Sequence, residues 1–180
     1  MIVLITGGAK NGKSSYAQEL AVKLAHGGIH YYIATMIPVD EEDRERIRRH
    51  IADRDGMGFE TVECGRNLLS CLDRVDKSGS FLLDSATALL MNELFVPPDW
   101  QMDIAAGQRC GEDMVQFARS VANIVIVSDY IYSDAARYDE ITETYRRCLA
   151  EIDRKLAAIS DVVLELSAGN VIAHKGGNLL

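Results

Sequence analysis

The sequence predicts an α/β fold with a mostly parallel central sheet. Three observations lead there. Apolar, β-branched runs of strand length alternate with helical patterns along the whole chain, the order expected of βα units. The run Asn123-Ile124-Val125-Ile126-Val127-Ser128 is apolar on both faces, as a strand of a sheet covered on both sides must be. Finally, Gly7-Gly8-Ala9-Lys10-Asn11-Gly12-Lys13-Ser14 satisfies G-x-x-x-x-G-K-[ST] between a strand pattern, Ile2 to Thr6, and a helical one, Ser14 to Ala25. Strand, glycine loop and helix together make a phosphate loop.

The chemistry of that loop is local. Glycines let backbone N–H groups converge on phosphate oxygens with no Cβ in the way. The helix that follows turns its positive end toward the same anion. Lys13 is expected to reach the β- and γ-phosphates of a nucleoside triphosphate, and Ser14 to ligate Mg²⁺.

The 180 residues suit a single domain over residues 1–180, and 48% hydrophobic content can fill a sizeable core. The net charge of −8 argues against a nucleic-acid-binding surface. No apolar run approaches the ~20 residues of a membrane span. The apolar N-terminal stretch runs straight into the phosphate loop, so no signal peptide is expected and the protein is read as soluble and cytoplasmic. The four cysteines (Cys64, Cys71, Cys110, Cys148) show neither C-x-x-C nor a Cys/His metal spacing, and are expected as reduced thiols.

Taken in order, His26-Gly27-Gly28 ends the first helix. Tyr31 to Thr35 reads as a second strand, which makes Thr35, at its end, a candidate ligand contact. Asp40 can cap a charged helix reaching Arg54, with Glu41, Glu42 and Asp43 in its first turn. Only Ile47 and Ile51 give that helix an apolar stripe, so it is expected at the periphery. Arg46, His50 and Arg54 recur every four residues and share a face. Two cations beside a histidine favour its neutral, nucleophilic form, and the same arginines could bind phosphate; a solvated charged face is the alternative. Phe59 to Cys64 reads as a short strand, with Glu63 near its end. Asn67 to Val75 reads as a helix. Phe81-Leu82-Leu83-Asp84 is a strand ending in an acid, the Walker-B pattern whose carboxylate helps hold Mg²⁺. Helices are expected over 85–95, within 102–122 and over 141–159. A tyrosine-bearing loop spans 129–139. A closing strand covers 161–166, and 171–174 can add an edge strand carrying a surface His174.

Four groups of residues together resemble the adenosylcobinamide kinase / adenosylcobinamide-phosphate guanylyltransferase family of cobalamin biosynthesis. They are the phosphate loop, Tyr32-Ile33-Ala34-Thr35, Arg46-Ile47-Arg48-Arg49-His50 with Arg54, and the pair Thr61-Val62-Glu63 and Leu82-Leu83-Asp84. The resemblance covers nearly the whole chain. It implies a RecA-like P-loop fold, often as a homotrimer, with ATP or GTP used to phosphorylate the corrinoid adenosylcobinamide. It also implies transfer of GMP from GTP through a phosphoramidate on His50. Carried over by position, Gly7, Gly8, Ala9, Lys10, Asn11, Gly12, Lys13, Ser14, Ile33, Ala34, Thr35, Ile51, Ala52, Asp53, Arg54, Glu63 and Asp84 contact nucleotide, and Ser14 and Asp84 hold Mg²⁺. Two segments depart from the family pattern. Ser128-Asp129-Tyr130-Ile131 stands where Asn-Glu-Val-Gly is common, and Ala150-Glu151-Ile152-Asp153-Arg154 where Gly-x-x-Asn-Gln is common. They leave open a paralogue acting on another small molecule, or a non-catalytic GTP-binding protein.

Overall fold

A computed structural model describes residues 1–180. Seven strands form one sheet: β1 (Ile2–Gly7), β2 (His30–Ala34), β3 (Glu60–Glu63), β4 (Ser80–Asp84), β5 (Asn123–Asp129), β6 (Val162–Ser167) and β7 (Asn170–Lys175). Their spatial order is β3-β2-β4-β5-β1-β6-β7. Every pairing is parallel except β6 with β7. Five α-helices connect them: α1 (Lys13–Ala25), α2 (Glu41–Asp53), α3 (Ala86–Leu94), α4 (Ile104–Ser120) and α5 (Glu140–Ile159).

The strand pleat sends alternate residues to opposite cores. Val3, Ile5, Leu82, Val125 and Val127 pack against Ala17, Leu20, Ala21 and Leu24 of α1. Leu4, Ile33, Phe81, Leu83, Ile124 and Ile126 pack against α3, α4 and α5 through Leu90, Phe117, Leu149 and Leu156, among others. The sheet is therefore covered on both faces, which is why its strands read as continuous apolar runs. Each such Leu, Ile or Phe taken out of water contributes roughly 1.5–3 kcal/mol before chain entropy is counted.

Helix α2 belongs to neither layer and buries no residue. Its start is as expected: the Asp40 side chain accepts a hydrogen bond from the Asp43 N–H at 2.8 Å. Arg48 pairs with Glu41 and Glu45, both at 2.7 Å, but such exposed pairs stabilise little. The expected apolar stripe is weak, since Ile47 is half-buried and Ile51 is 51% exposed.

Two local expectations need correction. The segment read as a helix over 67–75 is a 3-10 turn, Leu68–Asp73. At three residues per turn Leu68 and Cys71 fall on one face, and both are buried. That turn folds back on the end of β3, so Cys64 and Cys71 meet as a disulfide, while Cys110 and Cys148 remain free and buried. No local pattern signals this pairing, which depends on the turn. His174 lies on β7 as expected and bonds Glu165 at 2.8 Å. No helix is long and apolar enough to cross a membrane.

Candidate active site

The loop between β1 and α1 needs its glycines at two places. Gly7 has φ +157°, and a Cβ there would fall 2.5 Å from the Leu166 carbonyl oxygen of β6. Gly12, which precedes α1, is left-handed at φ 80°, a conformation that side chains resist. Asn11 Nδ2 ties the loop to the same Leu166 carbonyl at 3.3 Å. Lys13 is 5% exposed. Its Nζ donates to the Gly8 carbonyl at 2.7 Å and pairs with Asp129 Oδ1 at 2.7 Å. The ammonium thus sits inside the loop, where an incoming phosphate would meet it.

The C-terminal ends of β2, β4 and β5 form the floor, as the crevice rule for parallel sheets requires. Thr35, just past β2, is fully buried. Its hydroxyl donates to the Ser85 carbonyl at 2.9 Å and accepts from the Ser85 N–H at 2.7 Å. It therefore clamps two strand ends together. Tyr32 donates its O–H to Asp84 Oδ2 at 3.0 Å. Burial first, and then the Asp84 charge, raise the phenol pKa, so Tyr32 stays a donor. The Arg54 guanidinium lies 4.1 Å from the Tyr32 ring centroid, within cation–π range.

Helix α2 forms the opposite wall. Arg46, His50 and Arg54, predicted to share a face, all line the cavity, with Arg49 beside them. Arg54 donates to the His50 carbonyl at 2.7 Å and to Thr61 Oγ1 at 3.2 Å, linking the end of α2 to β3. His50 Nδ1 is buried without a hydrogen-bond partner. The cavity has a volume of about 490 Å³.

Of the residues expected at nucleotide, Ala9 to Ser14, Ala34, Thr35, His50, Asp53, Arg54, Glu63 and Asp84 line this cavity. Gly7 and Gly8 do not line it, although the Gly8 carbonyl holds the Lys13 ammonium. Ile33 is fully buried in the core, and Ile51 and Ala52 are exposed and off the cavity wall. Tyr32, Glu42, Arg49 and Asp129 line it without having been singled out as contacts. Asp129 had a visible signal, since it ends the β5 run as Asp84 ends β4.

For a divalent cation the donor set is sparse. No group of three or more His, Cys, Asp or Glu side chains converges. Ser14 and Asp84 offer one hydroxyl and one carboxylate to the same cavity. Few, hard oxygens suit Mg²⁺, which keeps waters and relies on substrate phosphates for further ligands.

Comparison with known proteins places the fold and the family. The chain is 28% identical to the bifunctional adenosylcobalamin biosynthesis protein CobU of Salmonella typhimurium, over 94% of this chain and 97% of that protein. It is 25% identical to the CobU protein of Escherichia coli over the same shares. Among solved structures, an ATPase domain superposes with TM-score 0.53 at 11% identity, over 97% of this chain and 76% of that one. The shared fold is that of the RecA-like P-loop ATPases. The family model described as cobinamide kinase / cobinamide phosphate guanyltransferase matches residues 3–173, and the chain belongs to that family.

Proposed function

We propose that this enzyme phosphorylates adenosylcobinamide with ATP or GTP and then transfers GMP from GTP to the product, giving adenosylcobinamide-GDP. One observation carries the reading: a phosphate loop and an unpartnered histidine flanked by arginines face the same cavity.

In the kinase step the loop N–H groups and Lys13 hold the β- and γ-phosphates, and the corrinoid hydroxyl attacks the γ-phosphorus. In the guanylyl step an imidazole nitrogen of His50 attacks the α-phosphorus of GTP. The P–O bond to the β-phosphate breaks and pyrophosphate leaves. The corrinoid phosphate then displaces His50 from the GMP. Arg46 and Arg54 offset charge building on the phosphate. Mg²⁺, held by Ser14, Asp84 and the phosphates, would neutralise charge on the leaving oxygens. Helix α2 has no core contacts to break, so it can shift to bring His50 to a different phosphate.

The departures from the family pattern fall mostly outside the cavity. Ser128, Ile152 and Asp153 are buried and do not line it, whereas Asp129 does. This supports an unchanged substrate class. A homotrimer belongs to the same reading and is checked by light scattering. The deciding experiment is turnover of adenosylcobinamide with Mg²⁺ and GTP, followed by mass spectrometry of the corrinoid. Wild type should form the GDP derivative and His50→Ala should stop at the phosphate. Tight GTP binding with no corrinoid accepted would sink the proposal.

A further inference from the structure

We propose that Asp129 is the general base of the kinase half-reaction, taking the proton from the acceptor hydroxyl as its oxygen attacks the γ-phosphate. This rests on the kinase reading above and assigns a residue to a proton that the phosphate loop cannot itself accept.

Location is the first reason. Asp129 ends β5, beside β1, and its Cα pairs in register with Gly7, where the phosphate loop begins. Its Oδ1 is 2.7 Å from Lys13 Nζ. A lysine in this position reaches the β- and γ-phosphates. A carboxylate touching that ammonium is therefore one atomic layer from the γ-phosphoryl group. The attacking hydroxyl has to occupy the same layer, within hydrogen-bond reach of its base.

The other cavity acids are placed for other work. Asp84 is engaged by the Tyr32 hydroxyl. Glu63 ends β3, the outermost strand and four places from β1. Glu42 and Asp53 belong to α2, on the far wall. Only Asp129 touches Lys13. It is also held in place and accessible: its N–H donates to Thr87 Oγ1 at 2.9 Å, and its side chain is 28% exposed.

The step balances. The acceptor oxygen forms a bond to the γ-phosphorus. The bond from that phosphorus to the β,γ-bridging oxygen breaks, and its electron pair leaves with the nucleoside diphosphate. The proton moves to the Asp129 carboxylate and then to water. Before nucleotide binds, Lys13 masks this carboxylate. An arriving γ-phosphate gives Lys13 a second anion to serve and frees an Asp129 oxygen for the hydroxyl. The titratable groups facing Asp129 are Lys13 in front and, across from α5, Tyr145 and Asp153.

The test is Asp129→Asn beside Asp129→Glu. Asparagine can still accept a hydrogen bond from Lys13 but cannot take the proton. For Asp129→Asn the kinase kcat should fall ~10²–10⁴-fold, with nucleotide Kd shifting far less and the acidic limb of the kcat–pH profile lost. Asp129→Glu should recover part of the rate and keep that limb. A kcat within a few-fold of wild type overturns the proposal. So does a Kd loss as large as the kcat loss, which would mean that Asp129 acts only by positioning Lys13. A wild type that phosphorylates no corrinoid overturns the kinase reading itself, and this role with it.

Discussion

Lys13 and His50 face one cavity but are held in opposite ways. Lys13 opens a helix that packs Ala17, Leu20, Ala21 and Leu24 against the sheet, and its ammonium is fixed by Gly8 and Asp129. His50 rides on a helix with no buried residue, tied at its end by Arg54 to Thr61 and to the Tyr32 ring. On the proposed function, the phosphate site is preorganised by the core, whereas the proposed nucleophile sits on an arm whose position depends on a few polar contacts. That division suits an enzyme working on the γ-phosphate in one step and the α-phosphate in the other, because only the arm has to move.

Among changes that separate the loop from the arm, Lys13→Ala should have the largest effect. It removes a fixed cation from the phosphate site and leaves Asp129 without its partner, so the kinase rate should drop by ~10²–10³, read as corrinoid phosphate formed per unit time. Equal activity in the variant would break the idea of a preorganised loop.

A pair of core and arm substitutions sharpens the same contrast in stability. Ile33→Ala opens the core beneath β2 and should cost ~2–5 kcal/mol. Ile51→Ala, on the exposed face of α2, should stay within about 0.5 kcal/mol. Urea denaturation measures both, and similar losses would show that α2 packs more firmly than its surface suggests.

Arg54→Ala tests the tether. It removes two hydrogen bonds and the contact with Tyr32. A global loss of about 1 kcal/mol is expected, together with slower labelling of His50 by GTP and little change in the kinase step. Equal slowing of both steps would argue against a separately held arm.

The smallest effect concerns Asp153, buried behind β5. Burial raises its carboxyl pKa above the ordinary 3.8, and the Tyr132 hydroxyl, donating to Oδ2 at 2.7 Å, only partly offsets this. Ser128 Oγ lies nearby but outside hydrogen-bonding geometry, and Asp153 Oδ1 is left unpartnered. Folding therefore favours the protonated form. Below about pH 3.8 the carboxyl costs nothing, and stability is lost as pH rises through the folded-state value. Asp153→Asn keeps an acceptor for Tyr132 and has no charge to bury. Its stability relative to wild type should improve as pH rises above about 3.8 in parallel urea titrations. A pH-independent difference would mean that the carboxyl is not buried as described.

Legibility followed the range of the interactions. The phosphate loop could be read because each glycine answers a local backbone need, and α2 because its cap, first turn and four-residue spacing are local too. The two-sided apolar runs disclosed the parallel sheet. Contacts joining distant segments left no pattern. Asp129 visibly ends an apolar run, but nothing nearby shows that β5 lies beside β1 and so brings that carboxylate to Lys13. Thr35 was read as a ligand contact and lines the cavity, but no local pattern showed that its hydroxyl also bridges to Ser85 of the neighbouring strand end. Cys64 and Cys71 met only because the intervening segment folds as a 3-10 turn.

The most direct test of the central claim is the intact mass of the protein after incubation with Mg²⁺ and GTP, with His50→Ala alongside. A covalent nucleophile on α2 predicts an acid-labile gain of one GMP on the wild type and none on the variant. An adduct on both proteins, or on neither, would contradict it and leave His50 outside the chemistry.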